Sequence, residues 1–232
     1  MKFGVDPKIF QLFPDLRLGV IIATDIDNSG INPAAASLLR TAETKIRQRI
    51  SLENLVGNPL IANWKTVYKD LKVKDGRPSH EALARRVLKG GEIPHINKLV
   101  DIYNSLSLEY LTPFGGEDLG KITGDLTLGF ATGSENFMEL GSREVSHPVP
   151  GEVVYADKEK ILCRKFNWRE SEKTKLTEFT KEAFFVTETL PPFPDTLIEK
   201  ALIELSGHLS SYCSAETKIF KVDAGNPSIE WP

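Results

Sequence analysis

With 232 residues, 41% of them hydrophobic, the chain is long enough to bury a sizeable core and sits at the upper end of single-domain length. Lysine and arginine number 29 against 32 aspartates and glutamates, so a formal net charge of −3 supplies no global basic field for gathering nucleic acid, and RNA binding has to come from local patches. The opening MKFGVDPKIF lacks the basic start and apolar run of a signal peptide, and no apolar stretch approaches the roughly 20 residues that cross a bilayer, so an intracellular, cytoplasmic protein without a membrane segment is expected.

In chain order, Arg17–Thr24 alternates and then runs apolar between Pro14-Asp15 and Asp27-Asn28-Ser29-Gly30, the pattern of a mostly buried strand ending in a turn. Asn32-Pro33 opens a helix with Leu38, Leu39, Ala42, Ile46 and Ile50 at three- and four-residue spacing. Asn58-Pro59 opens a second, with Ile61, Trp64, Tyr68 and Leu71 inward. After a turn at Lys74-Asp75-Gly76, Ser79 is expected to cap a helix that runs to Leu88 and stops at Gly90-Gly91. Pro94 is expected to start the next helix, with Ile96, Leu99, Val100 and Tyr103 on its core side. Beyond Pro113 the texture changes to short β-like runs, Leu126–Ala131, Glu152–Ala156, Ile161–Arg164 and Ala183–Leu190. Asp195–Tyr212 returns to helix. Helices first, strands next and a closing helix argue for an α+β fold in one domain, 1–232, with an N-terminal strand-and-helix segment over 1–75, a core over 76–190 and a C-terminal helix and tail over 191–232.

The candidate chemistry clusters in Gly76–Asp125 and Cys163–Arg169. In Pro113-Phe114-Gly115-Gly116-Glu117-Asp118, adjacent glycines let a backbone approach a ligand and leave two N–H groups free to donate; a tight turn followed by a solvated acidic pair is the alternative. Asn97, Asp101 and Asn104 fall on one helical face and either hold a ligand or cap neighbouring turns. Arg164-Lys165-Phe166-Asn167-Trp168-Arg169 interleaves cations with aromatics at a strand end, which suits phosphate contact and base stacking as well as an ordinary strand with two inward aromatics. Cys163 and Cys213 read as buried thiols with a disulfide left open, and the four histidines, in no HxH or HxxxH pair, suggest neither a metal nor a cofactor.

These segments together resemble the B3/B4 domain, the editing module of the bacterial phenylalanyl-tRNA synthetase β subunit, and its free-standing relatives. The likeness is carried by Arg77–Gly91 (RPSHEALARRVLKGG), Ile93–Asn104 (IPHINKLVDIYN), Gly115–Leu119, Gly124-Asp125-Leu126, Pro150–Asp157 (PGEVVYAD) and Cys163–Arg169, in that order and spacing, and is looser over the first seventy residues. The resemblance implies a three-layer fold with a β-sandwich-like core and helices on one side, and hydrolysis of the ester joining a wrong amino acid to tRNA, so mischarged aminoacyl-tRNA is the implied partner. It implies Gly115, Gly116 and Glu117 as catalytic, Asn97, Asn104 and Asn167 as substrate-binding, and Arg164, Lys165 and Arg169 as RNA-binding. In the synthetase-attached domains a histidine stands where Gly115 aligns and a glutamate near Val186, with Glu188 two residues away here. Without that histidine, glycine N–H groups would hold the tetrahedral oxyanion while the terminal ribose hydroxyl positions water. A non-catalytic module binding tRNA or an amino-acid-like ligand on the same fold is the alternative.

Overall fold

Apolar runs buried along their whole length need partners on both faces, and the chain supplies them by packing two sheets and a helical layer. A computed structural model describes residues 1–73 and 76–232. The elements in order are β1 (Lys2–Val5), α1 (Pro7–Leu12), β2 (Arg17–Thr24), α2 (Pro33–Arg49), α3 (Leu52–Leu55), α4 (Pro59–Asp70), α5 (Ser79–Leu88), α6 (Lys98–Tyr110) and β3 (Phe114–Asp118). A 3-10 turn, Leu119–Lys121, leads to β4 (Leu126–Phe130), β5 (Val153–Ala156), β6 (Ile161–Arg164), β7 (Arg169–Glu170), β8 (Ala183–Thr189), α7 (Asp195–Cys213), β9 (Glu216–Val222) and β10 (Ser228–Glu230). One sheet runs β10-β1-β4-β5-β6-β7 and the other β3-β8-β2-β9.

β2 and β8 are the inner strands of the smaller sheet, paired antiparallel with Leu18 opposite Glu188 and Val20 opposite Val186. Strand alternation sends Leu18, Val20, Ile22, Phe184 and Val186 to one face, where they meet Phe3, Leu126, Leu128, Tyr155 and Leu162 of the larger sheet. Ile21, Ala23, Ala183 and Phe185 point the other way, against Leu99, Ile102 and Leu106 of α6 and Ile198, Leu202 and Leu205 of α7. A third cluster joins Leu39 and Ile46 of α2 to Ala84 and Val87 of α5 and Leu108 of α6. The result is an α+β fold of sheet, sheet and helices, with α2, α5, α6 and α7 on one side and α1 and α4 also reaching the core between the sheets.

Asn32 and Asn58 cap α2 and α4 as their Asn-Pro signals predict, each side chain accepting a backbone N–H of its helix's first turn. Several expectations need correction. Pro94 does not start a helix: residues 91–97 are irregular, α6 begins at Lys98, and Ile96 is exposed, because Asn97 is the N-cap and accepts from the Val100 N–H at 3.1 Å. Ser79 is the first residue of α5 and makes no capping bond. Of the expected turn Lys74-Asp75-Gly76, the first two residues lie outside the described residues. The Gly115-Gly116 stretch is strand β3, because β8 offers a free edge for it to pair with. The expected strand end at Arg164–Arg169 is a hairpin turn between β6 and β7, with positive φ at Lys165 and Phe166. The C-terminal tail adds β9 and β10.

Candidate functional site

β3 is the edge of the smaller sheet and β7 the edge of the larger one, and Gly115 and Gly116 of β3 line one space together with Glu170 of β7. In an antiparallel edge strand successive N–H groups point alternately toward the partner and away. The Leu119 N–H reaches the Glu182 carbonyl on the β8 side at 3.0 Å, and the Asp118 N–H turns outward to the Thr174 carbonyl at 2.9 Å. By the same alternation Gly115 and Glu117 serve the β8 ladder, and Gly116 directs its N–H outward. One glycine N–H is therefore available to a ligand, where the sequence suggested two.

Glycine is required at 116 by close approach as well. A Cβ there would lie 2.7 Å from a Phe185 ring carbon and 3.0 Å from Leu176, whereas at Gly115 it would meet only Glu170 Oε1 at 3.5 Å. Two spaces join at Gly116 and Glu170. The outer one is an open cleft of about 760 Å³ whose lining includes Asn28, His95, Asn97, Tyr103, Lys175 and Phe179. The inner one is a narrow chamber of about 20 Å³, lined by Gly115, Gly116, Glu117, Tyr155, Cys163, Asn167, Glu170, Val186 and Glu188 among others. Roughly 10–15 Å³ of such space holds one water, so the chamber admits one or two waters or a small polar group.

Three carboxyls converge on this chamber. Burial raises Glu117 well above the usual carboxylate range, and the neighbouring charge of Glu170 raises it further. Burial also raises Glu170, which reaches the cleft and is partly exposed. Glu188 is pushed up to about 7 by burial, against the opposing pull of the Tyr155 hydroxyl that donates to its Oε1 at 2.6 Å. Burial, then the Glu170 charge, drives the Cys163 thiol well above its ordinary range, so it is held protonated and is no nucleophile. The Tyr68 hydroxyl donates to Asn167 Oδ1 at 3.0 Å. Among the described residues, Asn167 Nδ2, Glu117 Oε2 and Glu188 Oε2 are buried without a hydrogen-bond partner. These polar atoms around one small space, with Asn167 beside Glu188, make the lining of the chamber polar.

Of the residues singled out in the sequence, Gly115, Gly116, Glu117 and Asn167 come together in the chamber. Asn97 lines the outer cleft, where its amide donates to the Leu176 carbonyl at 3.1 Å. Asn104 is buried on α6 and lines neither space. Arg164 is turned onto Glu152 in a two-pronged pair at 2.7 and 2.8 Å and lies over the Phe137 ring, which leaves its charge occupied within the fold. Lys165 and Arg169 flank the Trp168 ring, and Arg169 also pairs with Glu139 at 2.8 Å. Sequence reasoning missed Glu170, one residue beyond the segment it singled out, along with Tyr155 and His95. Glu188, noted in the sequence as two residues from the position of the family's glutamate, also carries a signal of its own as a carboxyl inside AFFVTET, a strand buried at every position. The described residues hold no group of three or more His, Cys, Asp or Glu fit for a metal ion, and no helix long and apolar enough to cross a membrane.

Comparison with known proteins matches this arrangement to one family. The model of the B3/4 domain matches residues 66–206, more than half of the chain. No curated protein sequence matches. Among solved structures, an N-terminal fragment of the phenylalanyl-tRNA synthetase β subunit from Pyrococcus horikoshii superimposes with a TM-score of 0.50 at 10% identity, over 94% of this chain and 53% of that fragment. The chain thus spans about half of that fragment's length, and at this identity the likeness is one of fold. With the family model spanning β3, the chamber and most of the sandwich, the chain belongs to the B3/4 domain family.

Proposed function

We propose that the chain hydrolyses the ester of mischarged aminoacyl-tRNA, acting in trans as an editing factor. The observation that carries this reading is the outward-facing N–H of Gly116 at the point where the open cleft meets the Glu117–Glu170 carboxyl pair. An aminoacyl ester brings three groups to such a site: an α-ammonium, a carbonyl and a ribose. Glu170, which reaches the cleft, receives the ammonium, whose positive charge favours the ionised form of the carboxyl. The Gly116 N–H donates to the carbonyl oxygen as it becomes an oxyanion, a kind of contact whose removal typically costs about 10²–10³ in rate. Exposed Ile31, Ile96 and Phe179 on the cleft wall offer an apolar surface for the terminal adenine. The acidic floor repels phosphate and so keeps the RNA backbone at the mouth. The small chamber favours aminoacyl groups with short side chains.

The test is deacylation of a panel of mischarged tRNAs by purified protein, beside a no-protein control and the Glu170→Gln variant. Accelerated release from at least one species is expected, with kcat/KM lowered about 10–100-fold in the variant, the value of a charge-assisted contact of roughly 1.5–3 kcal/mol. Release no faster than the control from every species overturns the reading, and saturable binding of an aminoacyl-tRNA without turnover would assign the same cleft to a binding module.

A further inference from the structure

The hydrolase reading supplies an oxyanion donor and an ammonium site but leaves the attacking water without a base, and the cleft wall carries an imidazole. His95 stands in the irregular segment ahead of α6, lines the cleft, and has a side chain 39% exposed. Its Nδ1 is in short contact with Oδ2 of Asp101, a carboxylate in the first turn of α6 whose side chain is 1% exposed. The second oxygen of Asp101 accepts the Ile96 N–H at 3.3 Å. Asp101 is thus fixed on both oxygens, and the helix N-terminus favours its negative charge. A carboxylate so placed keeps the proton on Nδ1 and leaves the Nε2 lone pair free, as in any imidazole oriented by a buried acid. Among the described residues Nε2 has no hydrogen-bond partner, and the cleft that His95 lines also contains the Gly116 N–H.

We infer that His95, oriented by Asp101, is the general base of this cleft, an inference that rests on the hydrolase reading above. Nε2 takes a proton from water as the water oxygen bonds to the ester carbonyl carbon, and the resulting oxyanion lies on the Gly116 N–H. Collapse breaks the bond from carbonyl carbon to ribose oxygen, and the leaving oxygen takes the proton back from Nε2. One water is consumed, and a free amino acid and a tRNA with its terminal hydroxyl restored are released. The titratable and charged groups that share the cleft with His95 are Tyr103 of α6, Glu170 at the floor, and Glu172, Lys175 and Glu178, with Asp101 in contact behind the ring.

The measurement is the pH dependence of kcat for a deacylated species in the wild type, His95→Gln, Asp101→Asn and a control, His208→Gln, whose site lies on α7 away from the cleft. Each variant is checked for folding by denaturant titration. The imidazole tautomer is read independently by nitrogen-15 NMR. Expected are a fall in kcat of about 10²–10⁴ in His95→Gln with loss of the ascending pH limb, a smaller fall with loss of the Nδ1–H tautomer in Asp101→Asn, and no change in the control. If Asp101 and His95 serve only to pin the turn ahead of α6, stability drops while the pH limb survives, and the inference is overturned. Wild-type protein that deacylates some species, together with a His95→Gln variant equally fast across pH, sinks the base alone and leaves the hydrolase standing; wild-type protein that deacylates none sinks both.

Discussion

Glu188 shows how one residue can work against the stability of the fold that holds it. It lies opposite Leu18 in a strand buried at every position, with one carboxyl oxygen on the Tyr155 hydroxyl and the other unpartnered. Burial pushes its carboxyl up to about 7 in the folded protein, from 4.5 for an ordinary glutamate. Below the lower value both folded and unfolded chains carry the proton and no penalty arises. Between the two, the unfolded chain ionises while the folded one stays neutral, so stability falls as pH rises and levels off above the upper value. The shift corresponds to about 3 kcal/mol. Urea unfolding of Glu188→Gln between pH 4.5 and 8 is expected to show this contribution to the slope removed, leaving the variant less destabilised than the wild type at the alkaline end. A wild-type slope that the substitution leaves untouched would show that Glu188 ionises normally. Glu117 and Glu170, raised in the same direction, add to the slope that remains.

At the scale of the element, α6 and β3 take their places from a few backbone partners. Asn97 ends the irregular segment and starts α6, its side-chain oxygen accepting from the Val100 N–H and its amide donating to the Leu176 carbonyl. Asn97 is buried, so Asn97→Ala removes the cap and strands the Leu176 carbonyl, at a cost of about 1–3 kcal/mol by urea denaturation. Asn97→Asp keeps the capping acceptor, loses the donor, and should unfold between the two. Equal midpoints for Asn97→Ala and the wild type would show that the cap does not hold the helix start. For β3, the two glycines look equivalent in the sequence and differ in the sheet. Gly115 gives its N–H to the ladder and has room for a methyl group near Glu170, whereas Gly116 turns its N–H out and has Phe185 and Leu176 against it. Strand alternation, which only pairing with β8 can set, makes that difference.

Across the whole molecule, the space between the sheets is filled by residues from nearly the full length of the chain. Phe3 of β1 is fully buried there, 5.1 Å from the Phe184 ring in an edge-on arrangement and 6.1 Å from Tyr155. Tyr155 in turn holds Glu188, so the first strand supports the floor of the chamber from behind. Phe3→Ala should cost about 3–5 kcal/mol, seen as a lowered denaturation midpoint, because the two sheets cannot close over a cavity of that size without displacing Tyr155. A loss under about 1 kcal/mol would mean that the sandwich re-packs freely around this position.

The class of the fold and the whereabouts of much of the candidate site are legible in the sequence. Long apolar periodicities and Asn-Pro starts are local signals, and they delivered α2, α4, α7, β2, β4, β5, β6 and β8 to within a residue or two. The ordered motifs from Arg77 to Arg169 pointed to the B3/B4 family. Local signals also named Gly116, Glu117 and Asn167, whose residue types are unusual where they stand. Which of the named residues meet is a matter of tertiary packing. Packing moved the α6 start from Pro94 to Lys98, turned a glycine turn into an edge strand, folded Arg164 onto Glu152, and brought Glu170 and Glu188 from two different sheets to one chamber. The physical reason is that a carboxyl's proton, an N–H's direction and an imidazole's tautomer are set by neighbours across strand pairings and helix packings, many of them distant in the chain, which no local pattern encodes.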